Sequence, residues 1–231
     1  MNDLLCIDNL KKSYGRKEVL KGINLKLDKG KVLGILGPNG SGKTTLLNIL
    51  GGFLKPSSGK ILIDEEILSI ESKRSISFMQ DKNIFSPWMK VIDAMEFYKD
   101  FFEDFNYGKA EAIIEKMNID KKDKIKSLSK GTIEKLSLAL TLARDSRIYI
   151  LDEPIAGVDP VAREIIIDNI IDNLNEGSSM IITTHLVNEL ERIFDEVAFI
   201  RDGIIVKTGS AEDLRISNNK SIEELYKDIF R

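Results

Sequence analysis

The stretch of the sequence with the clearest chemical meaning runs from Gly37 to Thr44. It reads G-P-N-G-S-G-K-T, a full match to the pattern G-x-x-x-x-G-K-[ST]. Its glycines allow several backbone N–H groups to point into one concavity, where they can hold a polyphosphate. Lys43 supplies a positive charge for the β and γ phosphates, and the Thr44 hydroxyl can ligate Mg²⁺. A chance match in a chain of this length is about one in a hundred, so the pattern predicts a nucleoside-triphosphate site.

The residues on either side of this loop predict a strand before it and a helix after it. Val32 to Leu36 is a short apolar run, which is typical of a strand buried on both faces. Thr44 to Leu54 carries an apolar face, and Gly51, Gly52 and Pro56 end it. A helix in that place directs the positive end of its dipole at the phosphates. Strand, glycine loop and helix together are the context that the motif requires.

Acidic residues and the only histidine follow two further apolar runs. Arg147 to Leu151 predicts a buried strand that ends at Asp152 and Glu153, and Met180 to Thr183 predicts another that is followed by His185. Ligands bind at the carboxyl ends of strands in open α/β sheets. A lone histidine more often packs or lies on the surface. This one follows a strand that we expect beside the glycine-loop strand, which favours a role near the phosphates.

Composition excludes several classes of protein. The 231 residues are 42% hydrophobic and 31% charged, with a net charge of −3 and both signs interspersed, so we expect no nucleic-acid partner. Cys6 is the only cysteine, which excludes an internal disulfide and a multi-cysteine metal site and suits a reducing cytoplasm. No apolar run approaches the length of a membrane span. If the protein acts at a membrane, we expect another chain to provide the membrane part.

The rest of the chain alternates between strand and helix patterns. Residues 4–28 predict an antiparallel sheet before the glycine loop. An Asp202–Gly203 turn predicts a hairpin that joins Val197–Ile200 to Ile204–Val206. The other predicted strands are Lys60–Ile63 and Ser75–Met79, and the other predicted helices are Val91–Phe105, Lys109–Met117, Ile133–Ala143, Pro160–Leu174, Ala211–Arg215 and Ser221–Phe230.

The aromatic residues leave two questions open. Tyr14 lies in the turn at Ser13–Lys17, where it is either a partly buried turn residue or a platform that stacks on a nucleotide base. Half of the chain's aromatic residues fall between Phe85 and Tyr107. They form either an exposed docking patch or the compact core of a small helical subdomain. The sequence favours neither answer in either case.

Taken in order, these pieces resemble the ATP-binding subunit of an ATP-binding cassette (ABC) transporter. The resemblance covers essentially all of residues 3–231. Walker A alone fits many ATPases, whereas a signature just ahead of Walker B, followed by a D-loop and a histidine, is specific to this family. The matching motifs are Walker A (Gly37–Thr44), Walker B (Ile148–Glu153), the Q-loop (Gln80), the signature (LSKGT, Leu128–Thr132), the D-loop (GVDP, Gly157–Pro160), the switch histidine (His185) and the aromatic A-loop (Tyr14).

The resemblance implies a fold as well as an activity. The fold is α/β, a P-loop NTPase core of the ABC ATPase type with a mixed sheet. An antiparallel β-subdomain lies at its N-terminus, and a helical subdomain is inserted at approximately residues 81–143. We expect residues 1–231 to form a single ABC ATP-binding domain. The activity is ATP hydrolysis coupled to transport.

The resemblance also assigns roles to individual residues. Glu153 would polarise the attacking water, His185 would hold the γ-phosphate and the water in line, and Lys43 and Gln80 would complete the catalytic set. Mg²⁺ would be held by Thr44, Gln80 and Asp152. ATP would be bound by Tyr14, Gly37, Pro38, Asn39, Gly40, Ser41, Gly42, Lys43, Thr44 and Thr45 of one subunit, and by Ser129, Lys130, Gly131 and Asp159 around the signature and D-loop.

Two departures from the family pattern concern the signature and the segment before the D-loop. Lys130 replaces the first signature glycine and Thr132 replaces the glutamine, while Ile155 and Ala156 stand where small hydroxylated residues are common. A lysine at the start of a helix is unfavourable by about 0.3–1 kcal/mol. Lys130 therefore either points to solvent, where salt screens it, or faces the nucleotide of a partner subunit.

The resemblance further implies partners. We expect a separate transmembrane permease and a homodimer or heterodimer of ATP-binding subunits, located in the cytoplasm and peripheral on the inner face of the cell membrane. The signature variant and GVDPVARE resemble bacterial exporter subunits of the drug- and antibiotic-resistance type. The alternative is a soluble ABC ATPase used, for example, in cofactor assembly. A P-loop kinase is less favoured, because no lid or acceptor site explains the segment from Gln80 to Thr132.

Overall fold

The computed structural model describes residues 3–81, 83–174 and 177–231, which form two β-sheets and a set of helices. The first sheet has four strands in the order β2-β1-β4-β5. β1 pairs antiparallel with both β2 and β4, so the antiparallel sheet predicted for residues 4–28 is confirmed, and the strand predicted at Lys60–Ile63 joins it. The strands of this sheet are β1 (Asp3–Tyr14), β2 (Lys17–Asp28), β4 (Ser58–Ile63) and β5 (Glu66–Ile67).

The second sheet has six strands and is mixed, as the sequence predicts. Its order is β10-β9-β3-β8-β7-β6, in which β10 is antiparallel to β9 and the other neighbours are parallel. The strand before the glycine loop, β3, lies beside β8, the strand that precedes His185. The strands are β3 (Val32–Leu36), β6 (Ile76–Met79), β7 (Ile148–Asp152), β8 (Ser179–Thr184), β9 (Glu196–Arg201) and β10 (Ile204–Ser210).

Helices cover the mixed sheet and form the segment between its edge strand β6 and β7. Within the described ranges, none is long and apolar enough to cross a membrane. Short 3₁₀ turns occur at Ile125–Ser127 and Glu191–Ile193. The helices are α1 (Lys43–Leu50), α2 (Ile70–Lys73), α3 (Val91–Phe101), α4 (Tyr107–Lys116), α5 (Lys130–Leu142), α6 (Pro160–Asn173), α7 (Val187–Leu190), α8 (Ala211–Asn218) and α9 (Ile222–Phe230).

Several predicted helix boundaries are wrong by three or four residues, for local reasons. The helix predicted over Thr44–Leu54 ends at Leu50, because Gly51 caps it and Gly52 follows with a φ of 78°. The helix predicted at Ala211–Arg215 continues to Asn218, where Asn219 caps it in the left-handed conformation.

The first helix after Gln80 ends at Phe101 rather than Phe105, because Phe102 adopts an extended backbone, with φ −119° and ψ 110°. The helix predicted from Ile133 begins at Lys130, because the Ser129 side chain accepts a hydrogen bond from the Thr132 N–H and caps the helix there.

The apolar core lies on both faces of the mixed sheet. Along β3, Leu33 and Ile35 pack into the cluster under the antiparallel sheet, whereas Val32 and Leu36 pack into the cluster shared with α3 to α6. Since side chains alternate along a strand, a strand covered on both faces must be apolar throughout. This explains the continuous apolar runs in the sequence, and it fixes the strand ends that carry the polar residues.

Some of the aromatic residues between Phe85 and Tyr107 are buried and others are exposed. Tyr98 is buried and its ring lies near those of Phe85, Phe102 and Phe105. The side chains of Trp88, Phe97 and Phe101 are exposed, and the last two stack with their ring centroids 4.4 Å apart. The helical segment therefore has an aromatic core and a separate exposed aromatic surface.

A buried arginine joins the helical segment to the mixed sheet. Arg144 is only 5% exposed and follows the C-terminus of α5. Its guanidinium donates two hydrogen bonds of 2.9 Å to the Asp104 carboxylate and one of 2.8 Å to the Ile76 carbonyl. It also lies over the Phe102 ring, 4.0 Å from the centroid. The planar fork of arginine matches this set of acceptors, so one side chain connects α5, β6 and the loop before α4.

We predict that Arg144→Met lowers the free energy of unfolding by about 3 kcal/mol, the lower end of the range for breaking a buried ion pair. The lower end applies because Asp104 is partly exposed and also accepts a hydrogen bond from Ser146. Urea denaturation measures the change. Lys116→Met is the control, because Lys116 and Asp172 form an exposed pair that we expect to contribute less than about 1 kcal/mol. Equal stability losses in the two variants would contradict the role of Arg144.

Candidate active site

The loop between β3 and α1 is shaped by its glycines. Gly40 and Gly42 have φ values of 79° and 111°, which residues other than glycine rarely adopt. A Cβ at Gly37 would overlap the Ile200 carbonyl oxygen. The Gly203 N–H donates a 3.0 Å hydrogen bond to the Ser41 carbonyl and attaches the loop to the β9–β10 turn. The loop therefore keeps a fixed shape at the N-terminus of α1, where an anion is favoured.

Lys43 is the positive charge of this loop, and it is only 6% exposed. Its ammonium donates hydrogen bonds to the carbonyl oxygens of Gly37 at 2.7 Å and Pro38 at 3.2 Å. Burial lowers the pKa of Lys43, and the charges of Glu153 and Asp152 oppose that shift. The lysine thus lies inside the loop, within electrostatic range of both acidic residues at the end of β7.

Asp152 ends β7 and is only 4% exposed. Its Oδ1 accepts a 2.6 Å hydrogen bond from the Thr183 hydroxyl of β8. Burial raises the pKa of Asp152, while hydrogen bonds from Thr183 and Thr44 and the charge of Lys43 lower it. The hydroxyl of Thr44 and the carboxylate of Asp152 are therefore neighbours.

These oxygen atoms fit Mg²⁺ bound together with a nucleotide. In the described part of the chain, no group of three or more histidine, cysteine or acidic side chains is placed to hold a metal ion. Mg²⁺ is usually bound by one or two protein oxygens together with water and substrate phosphates, and not by a cage of side chains. A hydroxyl and a carboxylate beside a phosphate-binding loop match that mode.

Glu153 and His185 form a direct pair next to Asp152. His185 Nδ1 lies 2.8 Å from Glu153 Oε2, and the His185 backbone N–H donates to the same oxygen at 3.2 Å. Glu153 has a φ of 52°, and its own N–H donates to the Thr183 carbonyl at 3.1 Å. The backbone strain of a non-glycine residue at positive φ is often found at functional sites. The two residues come together because β7 and β8 are parallel neighbours that end at the same edge.

Gln80 follows β6, the strand next to β7. It is half-buried and lines a cleft of about 1070 Å³ between the helical segment and the edge of the sheet. Because β6 and β7 are parallel, Gln80 and Asp152 lie at the same edge of the sheet, where the carboxyl ends of the strands meet. The metal-binding and catalytic roles of Gln80 stay predictions.

The signature lies at the N-terminus of α5, against the D-loop. Ser129 caps α5, and its hydroxyl lies 2.8 Å from that of Thr132. Lys130 has a 73% exposed side chain, and its ammonium lies 3.6 Å from the Glu134 carboxylate. In the D-loop, Asp159 accepts a 3.0 Å hydrogen bond from the Ala162 N–H and caps α6. Within one subunit, then, Ser129 and Asp159 both act as helix caps.

Tyr14 ends β1, at the turn between the first two strands. It is 50% exposed, and the Lys12 ammonium lies 5.1 Å from the centre of its ring. A half-exposed ring has a face that another planar group can contact. The structure is therefore compatible with either role that the sequence left open for this residue.

Sequence reasoning missed two residues that organise this region. The Thr183 hydroxyl donates a hydrogen bond to Asp152, and the Thr183 carbonyl accepts one from the Glu153 N–H. The sequence indication was its place in Thr183–Thr184–His185, the polar end of an apolar run. Glu134 contacts the signature lysine. Its place four residues after Lys130 on a helix was the corresponding indication.

Comparison with known proteins identifies the family of the chain. The family described as "ABC transporter" matches residues 20–156. The lipopolysaccharide export system ATP-binding protein LptB of Haemophilus influenzae is 31% identical over 234 residues, which cover 96% of each chain. The lantibiotic transport ATP-binding protein SrtF of Streptococcus pyogenes is 30% identical over 236 residues, again 96% of each chain.

Solved structures show the same fold. An ATP-binding subunit of an ABC transporter superposes with a TM-score of 0.87 at 21% identity and covers 97% of this chain and 98% of the other. A dimeric ATP-binding cassette bound to ADP and phosphate gives a TM-score of 0.79 at 24% identity, covering 89% of this chain and 98% of the other. The family match spans more than half of the sequence. The chain belongs to the ABC transporter family, as one of its ATP-binding subunits.

Proposed function

We propose that this subunit hydrolyses MgATP at the edge where β3, β7 and β8 end, and that a separate membrane-spanning subunit uses the energy for export. The observation that carries the proposal is the Glu153–His185 pair, 2.8 Å apart, beside Asp152. ATP-binding subunits of this family energise membrane transporters by ATP hydrolysis. The proposal assigns that activity to particular residues of this chain.

Nucleotide binding is the task of the glycine loop and the residues that follow it. The backbone N–H groups from Gly37 to Thr45, except at Pro38, which has none, and the N-terminus of α1 would attract the phosphates. The Lys43 ammonium now donates to two carbonyl oxygens, which do not neutralise its positive charge. It would exchange them for phosphate oxygens, whose negative charge neutralises it. Tyr14 would stack on the base. These contacts hold the triphosphate before any chemistry occurs.

Thr44 and Asp152 would hold Mg²⁺, with Gln80 as a further oxygen donor. When bound, the metal ion neutralises charge on the β and γ phosphates as the terminal phosphoryl group is transferred. The Thr183 hydroxyl fixes the orientation of the Asp152 carboxylate. Because burial raises the pKa of Asp152, a cation at this position favours its ionised form.

Glu153 would polarise the attacking water, and His185 would hold it in line with the γ-phosphate. An ionised carboxylate only accepts hydrogen bonds, so His185 Nδ1 carries the proton in the observed pair. Nε2 is then the ring atom left for the γ-phosphate, to which it could donate a hydrogen bond only if the ring carries a second proton. The contacts of Glu153 with the His185 backbone N–H and with Thr183 hold its carboxylate and backbone in place before the nucleotide arrives.

The proposed working unit is a head-to-tail pair of subunits, in which the signature of one meets the nucleotide of the other. Ser129, Lys130, Gly131 and Asp159 would then complete the partner's site. The exposed ammonium of Lys130 can reach outwards from its subunit. A structural neighbour that is itself a dimer, with ADP and phosphate bound, supports this pairing.

The membrane role and the direction of transport are supported by the relatives. LptB is named for lipopolysaccharide export, and a Bacillus subtilis relative, 29% identical, is named for linearmycin resistance. A methionine import protein matches at 26% identity. We propose export, with the subunit peripheral at the inner face of the cell membrane. Isolation of the tagged chain from gently solubilised membranes tests this, and recovery without any membrane-spanning chain would favour the soluble ATPase instead.

Glu153→Gln is predicted to bind MgATP yet hydrolyse it at least about a hundredfold more slowly, a loss of about 2.7 kcal/mol of transition-state stabilisation. The amide retains the shape of the side chain but cannot polarise water as a carboxylate does. Steady-state phosphate release and equilibrium nucleotide binding measure the two properties. Glu164→Gln, at an exposed position of α6, is the matched control. Near-normal turnover in Glu153→Gln would refute the assignment.

His185→Ala is predicted to reduce turnover while ATP affinity stays within about threefold, or about 0.7 kcal/mol. The proposed work of His185 is to position the water and the γ-phosphate, whereas the glycine loop supplies most of the binding. Parallel measurement of turnover and affinity separates these effects. Equal losses in both would indicate that His185 is structural.

Tyr14→Ala is predicted to weaken nucleotide binding by about 1–3 kcal/mol, the range for stacking of a base on an aromatic ring. Tyr14→Phe should bind normally, because it keeps the ring. Since stacking does not read hydrogen-bonding groups, GTP should bind nearly as well as ATP. Unchanged affinity in Tyr14→Ala, or a strong preference for ATP over GTP, would argue that Tyr14 is a structural turn residue.

A further inference from the structure

Gly157, the first residue of the D-loop, lies against the first turns of α5. Its φ is not among the positive values that require glycine. The requirement is for space, because a Cβ at this position would overlap Glu134 Oε1 and lie 2.8 Å from Lys130 Cε. The D-loop backbone therefore touches the side chains of two α5 residues, one of which belongs to the signature.

Glu134 is the residue between the two motifs. Its side chain is only 12% exposed, and Oε1 lies 3.6 Å from the Lys130 ammonium. Burial raises the pKa of Glu134, and the negative charge of Asp81 raises it further. The charge of Lys130 and a hydrogen bond from the Gly157 backbone N–H lower the pKa of Glu134. One carboxylate thus contacts a signature side chain and the D-loop backbone together.

Helix stability does not explain this arrangement. A lysine four residues before a glutamate is the less favourable order on a helix, and a lysine in the first turn opposes the helix dipole. Among the described residues, the other carboxylate oxygen of Glu134, Oε2, is buried without a hydrogen-bond partner. A buried acceptor without a partner destabilises the fold. The position of Glu134 is therefore better explained by the contact that it makes than by stability.

The segment on the other side of Gly157 leads directly to the catalytic pair. The Ala156 N–H donates a 3.2 Å hydrogen bond to the Glu153 carbonyl, which closes a tight turn from Glu153 to Ala156, next to Gly157. Ile155 and Val158 are buried and anchor the turn in the core. A short turn packed in the core therefore joins Gly157 to the backbone of Glu153.

We propose that Glu134 is a positioning residue that ties the signature to the D-loop, and through it sets the placement of Glu153. The inference rests on the proposed function, because it concerns hydrolysis by Glu153. When the signature engages the partner's nucleotide, the contact from Lys130 through Glu134 to Gly157 conveys that engagement to the catalytic residue of the same subunit.

The test uses the full chain with Glu134→Leu, Glu134→Gln and the control Glu111→Leu, which removes an exposed pair with Lys121 on α4. Glu134→Leu should lower kcat about tenfold, within the hundredfold that a 1 Å misplacement can cost. Its affinity for ADP should stay within about twofold, and its thermal unfolding midpoint should be unchanged or higher. Glu134→Gln should keep most of the activity, because its amide oxygen can still accept the Gly157 N–H.

Loss of kcat without loss of stability or ADP affinity, with recovery in Glu134→Gln, supports the inference, since a merely structural residue would lower stability as well. A wild-type kcat in Glu134→Leu would overturn it, as would an equal loss in Glu111→Leu or in Glu134→Gln. The proposed function is tested separately by Glu153→Gln. If that variant hydrolyses ATP normally, the assignment of Glu153 fails whatever the Glu134 variants do.

Discussion

Lys43 and Asp152 carry opposite charges at the ends of the glycine loop and of β7, and both are almost fully buried. Burial shifts the pKa of each towards its neutral form, and the attraction between the two opposes the shifts. Carbonyl groups hold the lysine and a threonine hydroxyl holds the aspartate. In the proposed function, the phosphates of the nucleotide would supply negative charge to Lys43 and a divalent cation would supply positive charge to Asp152. Nucleotide binding would then offset the cost of burying these two groups.

This electrostatic arrangement depends on a rigid sheet. β3, β7 and β8 are buried on both faces, so a shift of register by one residue would move apolar side chains between two different cores. The strand ends are fixed as a result, and with them Glu153 and His185, which β7 and β8 deliver to the same edge. The side chains to which we assign the chemistry are therefore held in position by apolar strands that are packed on both faces.

The sequence predicts most of this fold because its main determinants are local or periodic. The Val32–Leu36 run, the glycine loop and the hairpin at Asp202–Gly203 each follow from short-range patterns. Arg144 was not predicted, since its partners Asp104 and Ile76 are distant in sequence and a buried charge is unusual. Thr183 and Glu134 were missed for a related reason: their roles arise from contacts between elements, which no single segment specifies.

The unusual signature illustrates why such contacts matter. Lys130 departs from the family pattern, yet its aliphatic stem fills the space beside Gly157, and its ammonium balances the charge of Glu134. A change at any one of these three positions alters the surroundings of the other two, so the signature and the D-loop behave as one packed unit. The signature and the D-loop are separate in the sequence but packed together in the fold. The backbone of the D-loop at Gly157 therefore limits which side chains fit at the signature position of Lys130.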